Sequence, residues 1–419
     1  MEGGPRAEEK RLPGWLWALC LAQVASLQVY ASYAVALPLL KSEWSLTNAQ
    51  AGGIYTAYYV GYILATMVLA TASDYLGSRR VWLASVLWSG GANLLFPLFA
   101  QGFWSGLICR ALTGMGLAGS FAPAVRLVSL RAGEMVRGRF LGVFAFSYTL
   151  GVALSTLVTG ALLPALGWRG AFLLTSAGPL GAALIGAIAL PRDPEEARGR
   201  EAFEFPPLNR PTVIAILSYT LHRWEVFGFR AWVVAFLSAA LMREGLGQPE
   251  AVEKAAVAAG VLIMLSAFGN LLGGYSSDRF GRRATLAAFF SASSLLSLTA
   301  GFLFTIPYAW LVAFCAVWVL FITGDAPVFL ATAAQVAPRR HLGSVMGLNT
   351  GFAFVLGAMS SPAVGWVLDL TNASAGGAYP TFWGAAFAVL GAVALLGLPC
   401  VALLGPGAEG RRAKEREAG

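Results

Sequence analysis

Gly274-Tyr275-Ser276-Ser277-Asp278-Arg279-Phe280-Gly281-Arg282-Arg283 follows one long apolar run, and Ala70-Thr71-Ala72-Ser73-Asp74-Tyr75-Leu76-Gly77-Ser78-Arg79-Arg80 follows another 204 residues earlier. At that one offset Asp74 pairs with Asp278, Gly77 with Gly281 and Pro123 with Pro327, while Gly138 and Gly142 recur one step later as Gly343 and Gly347. A repeat of this kind implies two halves of like construction, related by an axis along the membrane normal if the apolar runs are membrane spans. The residue types suit a short loop at a lipid surface. Gly77 and Gly281 permit a tight turn, the arginines stay with cytoplasmic headgroups, and each aspartate can accept from helix N-terminal amides or from an arginine. A plain basic loop would account for either copy alone but not for two copies in register.

Working outward, the apolar runs read as spans. The 419 residues are 57% hydrophobic and 12% charged, against about a quarter charged in soluble domains. About 20 apolar residues cross a bilayer core of about 30 Å, and the chain holds about twelve such runs. They lie at 14–40, 51–72, 81–100, 103–128, 140–163 and 169–190, then at 212–240, 253–275, 284–305, 309–336, 344–368 and 379–404. The short alternating segments of a β-barrel are missing. The first run, from Trp15, exceeds a signal-peptide core and shows no small-residue cleavage site before Lys41, so it reads as a retained helix. The net charge of +8 follows the gaps between alternate spans. With a cytoplasmic N-terminus, the outer loops hold only Lys41, Arg169, Arg243 and Lys254, while residues such as Arg79, Arg80, Arg137, Arg139, Arg282 and Arg283 lie inside. That is the positive-inside pattern of a lipid-embedded protein, not the patch of a nucleic-acid binder. Cys20, Cys109, Cys315 and Cys400 each stand alone in an apolar run, which gives neither a disulfide framework nor a metal spacing.

The second loop copy resembles the signature loop of the major facilitator superfamily: Gly, three residues, Asp, Arg, any residue, Gly, Arg, Arg, met here by Gly274, Asp278, Arg279, Gly281, Arg282 and Arg283. The first copy departs from it, with Ala70 for the glycine, Tyr75 for the first basic residue and Ser78 for the next. In the fourth span, Arg110-Ala111-Leu112-Thr113-Gly114-Met115-Gly116 resembles the family's Arg, three residues, Gly, any residue, Gly motif, whose glycines allow close helix approach. The resemblance covers nearly the whole chain. It implies an all-α polytopic membrane protein with 12 transmembrane helices in two pseudo-symmetric six-helix bundles, both termini cytoplasmic. The expected division is a tail at 1–13, a bundle at 14–190, a linker at 191–211, a second bundle at 212–404 and a tail at 405–419. It further implies that spans one, four, seven and ten line a central cavity. The repeated loop would latch the halves on the cytoplasmic side through Asp74, Gly77, Arg79, Arg80, Asp278, Arg279, Gly281, Arg282 and Arg283.

The seventh span carries the chemistry. Ser218-Tyr219-Thr220-Leu221-His222-Arg223-Trp224-Glu225-Val226-Phe227-Gly228-Phe229-Arg230 places four ionisable groups inside it. A charge at the centre of a lipid-facing helix costs about 2.5 to 3.5 kcal/mol, so these groups should face protein or water. At helical spacing Ser218, Tyr219, His222, Arg223, Glu225 and Arg230 share one arc of about 160°. Two readings stand: an internal salt bridge that fixes helix packing, or the lining of a solvated pathway. Arg110 and Arg230 are expected at similar outer depth, each offering a planar fork for carboxylate, phosphate or sulfate; the other reading of Arg110 is a structural bond to a carbonyl or to Glu225. Gly324-Asp325-Ala326-Pro327 bends the tenth span and leaves Asp325 as a lone intramembrane carboxyl. Glu225, Asp325 and His222 are the candidates to carry a proton, with a structural partner for Arg126 or a backbone donor as the other reading of Asp325. Gln23, Ser26, Tyr30 and Tyr33 form one face of the first span, as Tyr55, Tyr58 and Tyr62 do on the second.

These features point to a secondary transporter in the plasma (inner) membrane. It would move a small solute, an organic or inorganic anion, with proton coupling and by alternating access. Candidate substrate-binding residues are Arg110, Tyr219, His222, Arg223, Arg230, Tyr30 and Gln23, with proton coupling at Glu225, Asp325 and His222. Alternatives are an exporter of amphipathic or cationic compounds and a receptor that binds without moving solute. None of the four lysines follows a glycine, which excludes a Walker-type nucleotide loop, and the two histidines, His222 and His341, cannot form a zinc protease motif. No nucleophile and base share a recognisable motif, so no enzymatic activity and no cofactor are expected. The fifth span, with Gly151, Ser155 and Gly160, lacks the Gly-Pro pair that resembles drug and proton antiporters of the family. Expected partners are the substrate, the bilayer and protons, with no nucleic acid or nucleotide.

Overall fold

The computed structural model describes residues 12–132, 134–191, 208–338, 341–373 and 379–404. The expected tails, and most of the linker expected at 191–211, lie outside the described residues. Every regular element within them is helical, as a lipid solvent demands of a chain whose backbone groups must be satisfied internally. In order these are α1 Gly14–Ser26, α2 Ser32–Glu43, α3 Asn48–Leu76, α4 Ser78–Phe99, α5 Phe103–Arg131, α6 Glu134–Ala189 and α7 Arg210–Arg243. They continue with α8 Gln248–Phe280, α9 Arg282–Ala300, α10 Tyr308–Gly324, α11 Ala326–Val336, α12 Leu342–Thr371, α13 Gly384–Leu395 and α14 Leu398–Leu403. Among the described residues, ten helical segments are long and apolar enough to cross a membrane. Large apolar side chains face outward along them: Trp104, Trp310 and Ile188 are 70% exposed or more. Water would not tolerate such a surface over so many helices, whereas acyl chains match it.

Local chemistry explains where these helices bend. A straight helix as long as α6 would run about 84 Å; Gly167 interrupts it with φ 62°, a conformation that a side chain resists. The first span is broken between α1 and α2 by a 3₁₀ turn at Leu27–Val29. The tenth breaks at Asp325, where Pro327, near the start of α11, supplies no amide to the ladder. Pro123 at the equivalent position of the repeat is accommodated inside the continuous α5.

Two compact units emerge, from within Met1–Trp44, Ala57–Glu201 and Val252–Gly260, and from within Ser45–Thr56, Ala202–Ala251 and Val261–Gly419. In the first, Leu16, Leu19, Trp82, Val86, Phe140 and Phe144 form a core between α1, α4 and α6. In the second, Ile214, Tyr219, Leu286, Phe290, Val328, Phe329 and Ala353 do the same between α7, α9, α11 and α12. Helix α7 is the axis of that second unit: Asn209 caps it by accepting from the Thr212 amide at 3.0 Å, and 89% of its most apolar stretch is buried.

Candidate functional site

In the first unit the break between α1 and α2 frees backbone groups that helical bonding would have used. Ser155 of α6 meets two of them, accepting from the Ala31 amide at 3.0 Å and donating to the Gln28 carbonyl at 2.7 Å. Arg110 of α5, fully buried, donates to the carbonyls of Val29 at 3.3 Å and Tyr30 at 3.4 Å. Its guanidinium also lies 4.4 Å from the Tyr58 ring centre and 5.8 Å from that of Tyr33. The glycines of the Arg110 motif bring these partners in: a Cβ on Gly114 would collide with the Tyr58 carbonyl, so α3 and α5 touch backbone to backbone. Beside the break, the Tyr30 and Tyr59 hydroxyls are 2.7 Å apart. Gln23 is buried with neither amide atom hydrogen-bonded among the described residues.

In the second unit the ionisable groups of α7 separate into two sectors. Glu225 is fully buried and turns to α9 and α10: Ser293 Oγ donates to it at 2.9 Å, Trp318 Nε1 at 3.2 Å, and Ser297 Oγ as well. Ser293 and Ser297 are one turn apart on the same face of α9, so one carboxylate engages both. His222, one turn before Glu225, is also fully buried; its Nδ1 lies 3.1 Å from Asp325 Oδ1 at the α10–α11 break. Neither side chain makes a hydrogen bond among the described residues. Phe290, Phe329 and Tyr219 close around the imidazole with ring centres 6.3, 5.3 and 5.9 Å away.

Arg223 points elsewhere. Half-buried, it sits among three rings, with its guanidinium 5.2 Å from Tyr219, 5.5 Å from Phe227 and 6.0 Å from Phe354 of α12. Its Nε has no hydrogen-bond partner and no carboxylate lies within ion-pair reach among the described residues. Arg230, also half-buried, borders a small crevice with Val226, Phe229, Ile263, Ser266, Val319, Ile322 and Thr323, between α7, α8 and α10.

The two loops of the repeat are built alike. Gly77 has φ 87° and ψ 147°, Gly281 φ 82° and ψ 154°; each ends one helix and starts the next. Gly77 donates to the Ser73 carbonyl at 3.1 Å and Gly281 to that of Ser277 at 3.0 Å. Arg79 then reaches the Ala187 carbonyl at 2.7 Å, and Arg282 the Gln335 side chain. Arg80, Asp278, Arg279 and Arg283 are exposed; the side chain of Asp74 lies outside the described residues. The sequence pattern of the Major Facilitator Superfamily matches residues 19–248 and 226–419. The chain belongs to the Major Facilitator Superfamily. It is a multi-pass membrane transporter of that superfamily. It is 26% identical over 385 residues to the hexuronate transporter of Bacillus subtilis, covering 85% of this chain and 88% of that one. It is 24% identical over 381 residues to a probable sulfoacetate transporter of Cupriavidus necator, covering 85% and 87%. Its fold is that of a bacterial homologue of the human lysosomal transporter Spinster, solved inward-facing and occupied, with TM-score 0.73, 19% identity and 93% and 96% coverage.

Within this superfamily frame, the single polar face expected on α7 resolves into separate environments. Glu225 and His222 point into the second unit's core, where the reading of a solvated arc had placed them in water; the bundle supplies polar partners on that side, and full burial is the result. Tyr219 belongs to the same core. Arg110 keeps the structural bonds to carbonyls that were one of its two readings. Sequence reasoning missed Ser293, Ser297 and Trp318 as partners of Glu225, and Phe354 as a wall of the Arg223 cage. The i, i+4 serines of α9 were the available signal; Phe354 had none, because nothing in its own span distinguishes it from a lipid-facing ring.

Proposed function

We propose that this chain is a secondary active transporter of small organic anions, coupled to protons and working by alternating access of two six-helix halves. It would lie in the plasma (inner) membrane with twelve spans and cytoplasmic termini. The observation that carries the anion reading is Arg223: a permanent cation, partly open, flanked by rings and matched by no carboxylate among the described residues. Leaving a guanidinium inside a membrane protein without a counter-ion is costly unless a ligand supplies one during the cycle. Its planar fork suits a carboxylate. That the two relatives above are named for hexuronate and sulfoacetate, both anions, supports the same reading. A cation exporter would need Glu225 or Asp325 open to its cargo, and both are fully buried.

Twelve spans are supported by α3, a further helix of 29 residues, and by the Gly167 break that divides α6. The proton reading rests on the two carboxyls and one imidazole gathered on α7 and at the α10–α11 break, with no arginine or lysine paired to them among the described residues. The test is uptake of labelled benzoate, glucuronate and sulfoacetate into proteoliposomes, with and without an inward proton gradient. Accumulation of at least one anion, driven by the gradient and weakened in Arg223→Lys, is expected. Uptake of none of them, or uptake indifferent to Arg223→Lys, would overturn the anion reading; uptake indifferent to the gradient would overturn the coupling.

A further inference from the structure

We propose that the anion held at Arg223 carries a flat apolar body, so that the substrate class is an aromatic monocarboxylate and not a hydroxylated sugar acid. This rests on the reading that Arg223 binds the substrate carboxylate. Tyr219, Arg223 and Phe227 are spaced four residues apart, so on α7 the guanidinium lies in a stripe between two rings. Phe354 adds a third from α12, edge-on to Phe227 at 5.2 Å and 84°. Its approach depends on Gly357, where a Cβ would lie 2.5 Å from the Phe227 ring and 3.0 Å from the Arg223 carbonyl. The guanidinium lies within 6.0 Å of all three ring centres with its Nε unpartnered, and its planar fork has hydrogen bonds to give to the two oxygens of a carboxylate.

The substrate body beyond the carboxylate then meets ring carbon. Tyr219 and Phe227 are buried, while Phe354 is half-buried and so forms the open side of the cage. The three rings bring one hydroxyl, that of Tyr219. Each hydroxyl of a sugar acid leaving water needs a partner there, and a wall of this composition cannot provide several. An aromatic body instead keeps ring contact with Phe354 and loses little on dehydration.

The experiment measures binding of labelled benzoate to the full-length protein in nanodiscs, with glucuronate and propionate as competitors. The expected result is that glucuronate competes at least about tenfold more weakly than unlabelled benzoate, as the unmet hydroxyls require. Phe354→Leu should lower the benzoate-to-propionate affinity ratio about fivefold, the scale of one aromatic pair, and Phe354→Tyr should retain it. Glucuronate binding as tightly as benzoate, in a manner that Arg223→Lys weakens, would overturn this inference and leave the anion reading standing. An unchanged ratio in Phe354→Leu would overturn it as well. Benzoate and glucuronate binding that are both indifferent to Arg223→Lys would overturn the anion reading itself.

Discussion

His222 Nδ1 lies 3.1 Å from Asp325 Oδ1 with both side chains fully buried, and Asp325 is the residue at which α10 gives way to α11. Apart from this close approach, neither side chain has a hydrogen-bond partner among the described residues. Asparagine keeps the shape of Asp325 but takes up no proton. Asp325→Asn should therefore abolish gradient-driven accumulation of whichever probe anion is transported, while exchange of labelled for unlabelled anion across the membrane persists. Accumulation at the wild-type level in this variant would remove Asp325 from the coupling step.

Glu225 has a different character, because three donors from two helices converge on it. In Glu225→Gln one acceptor oxygen becomes an amide nitrogen, so at least one of the three bonds donated to the carboxylate is lost or reversed, at a cost of about 1–3 kcal/mol. Thermal unfolding of the purified variant should show a clear fall in melting temperature, and Glu225→Asp, which shortens the reach to Ser293 and Ser297, a fall as well. A melting temperature equal to wild type would mean that the three donors are not what holds this carboxyl.

Arg110 supports the broken first span through the Val29 and Tyr30 carbonyls. Arg110→Met removes a buried donor set and should cost about 1–3 kcal/mol of stability. Arg110→Lys should restore only part, since one ammonium cannot reproduce a fork spread over two acceptors and a ring. The comparison is made on melting temperature together with benzoate affinity: loss of affinity without loss of stability would point to direct substrate contact instead.

Gly281 sits at φ 82° between α8 and α9. With ψ 154° this conformation is essentially reserved to glycine, and a side chain held there costs about 1–3 kcal/mol, so Gly281→Ala and Gly281→Asn should both lower the melting temperature, asparagine giving no relief. Gly77→Ala, at φ 87°, should behave in the same way. A neutral Gly281→Ala would show that the loop relaxes out of this conformation.

Much of this architecture was legible residue by residue. The Gly77 and Gly281 turns read correctly because a positive φ is a local demand that glycine answers locally. The bend at Pro327 was legible for a related reason, since a proline's missing amide is likewise a property of one residue. The Arg110 glycines announced close helix approach, and Gly114 against Tyr58 is that contact. Periodicity also placed Tyr219 and Arg223 on one face of α7.

What periodicity lacked was the identity of the neighbour. A helical wheel gives the angle between Arg223 and Glu225 but not which angle faces a bundle core. By itself, then, the sequence determined helical spans, the repeat and the positions where ionisable groups enter the membrane, since each comes from composition, spacing and the backbone limits of single residues. Only the tertiary structure decided that Glu225 meets two serines and a tryptophan, that His222 meets Asp325, and that Arg223 is left among rings. Those outcomes depend on which helix packs against which side of α7, a matter of contacts between residues far apart in the chain.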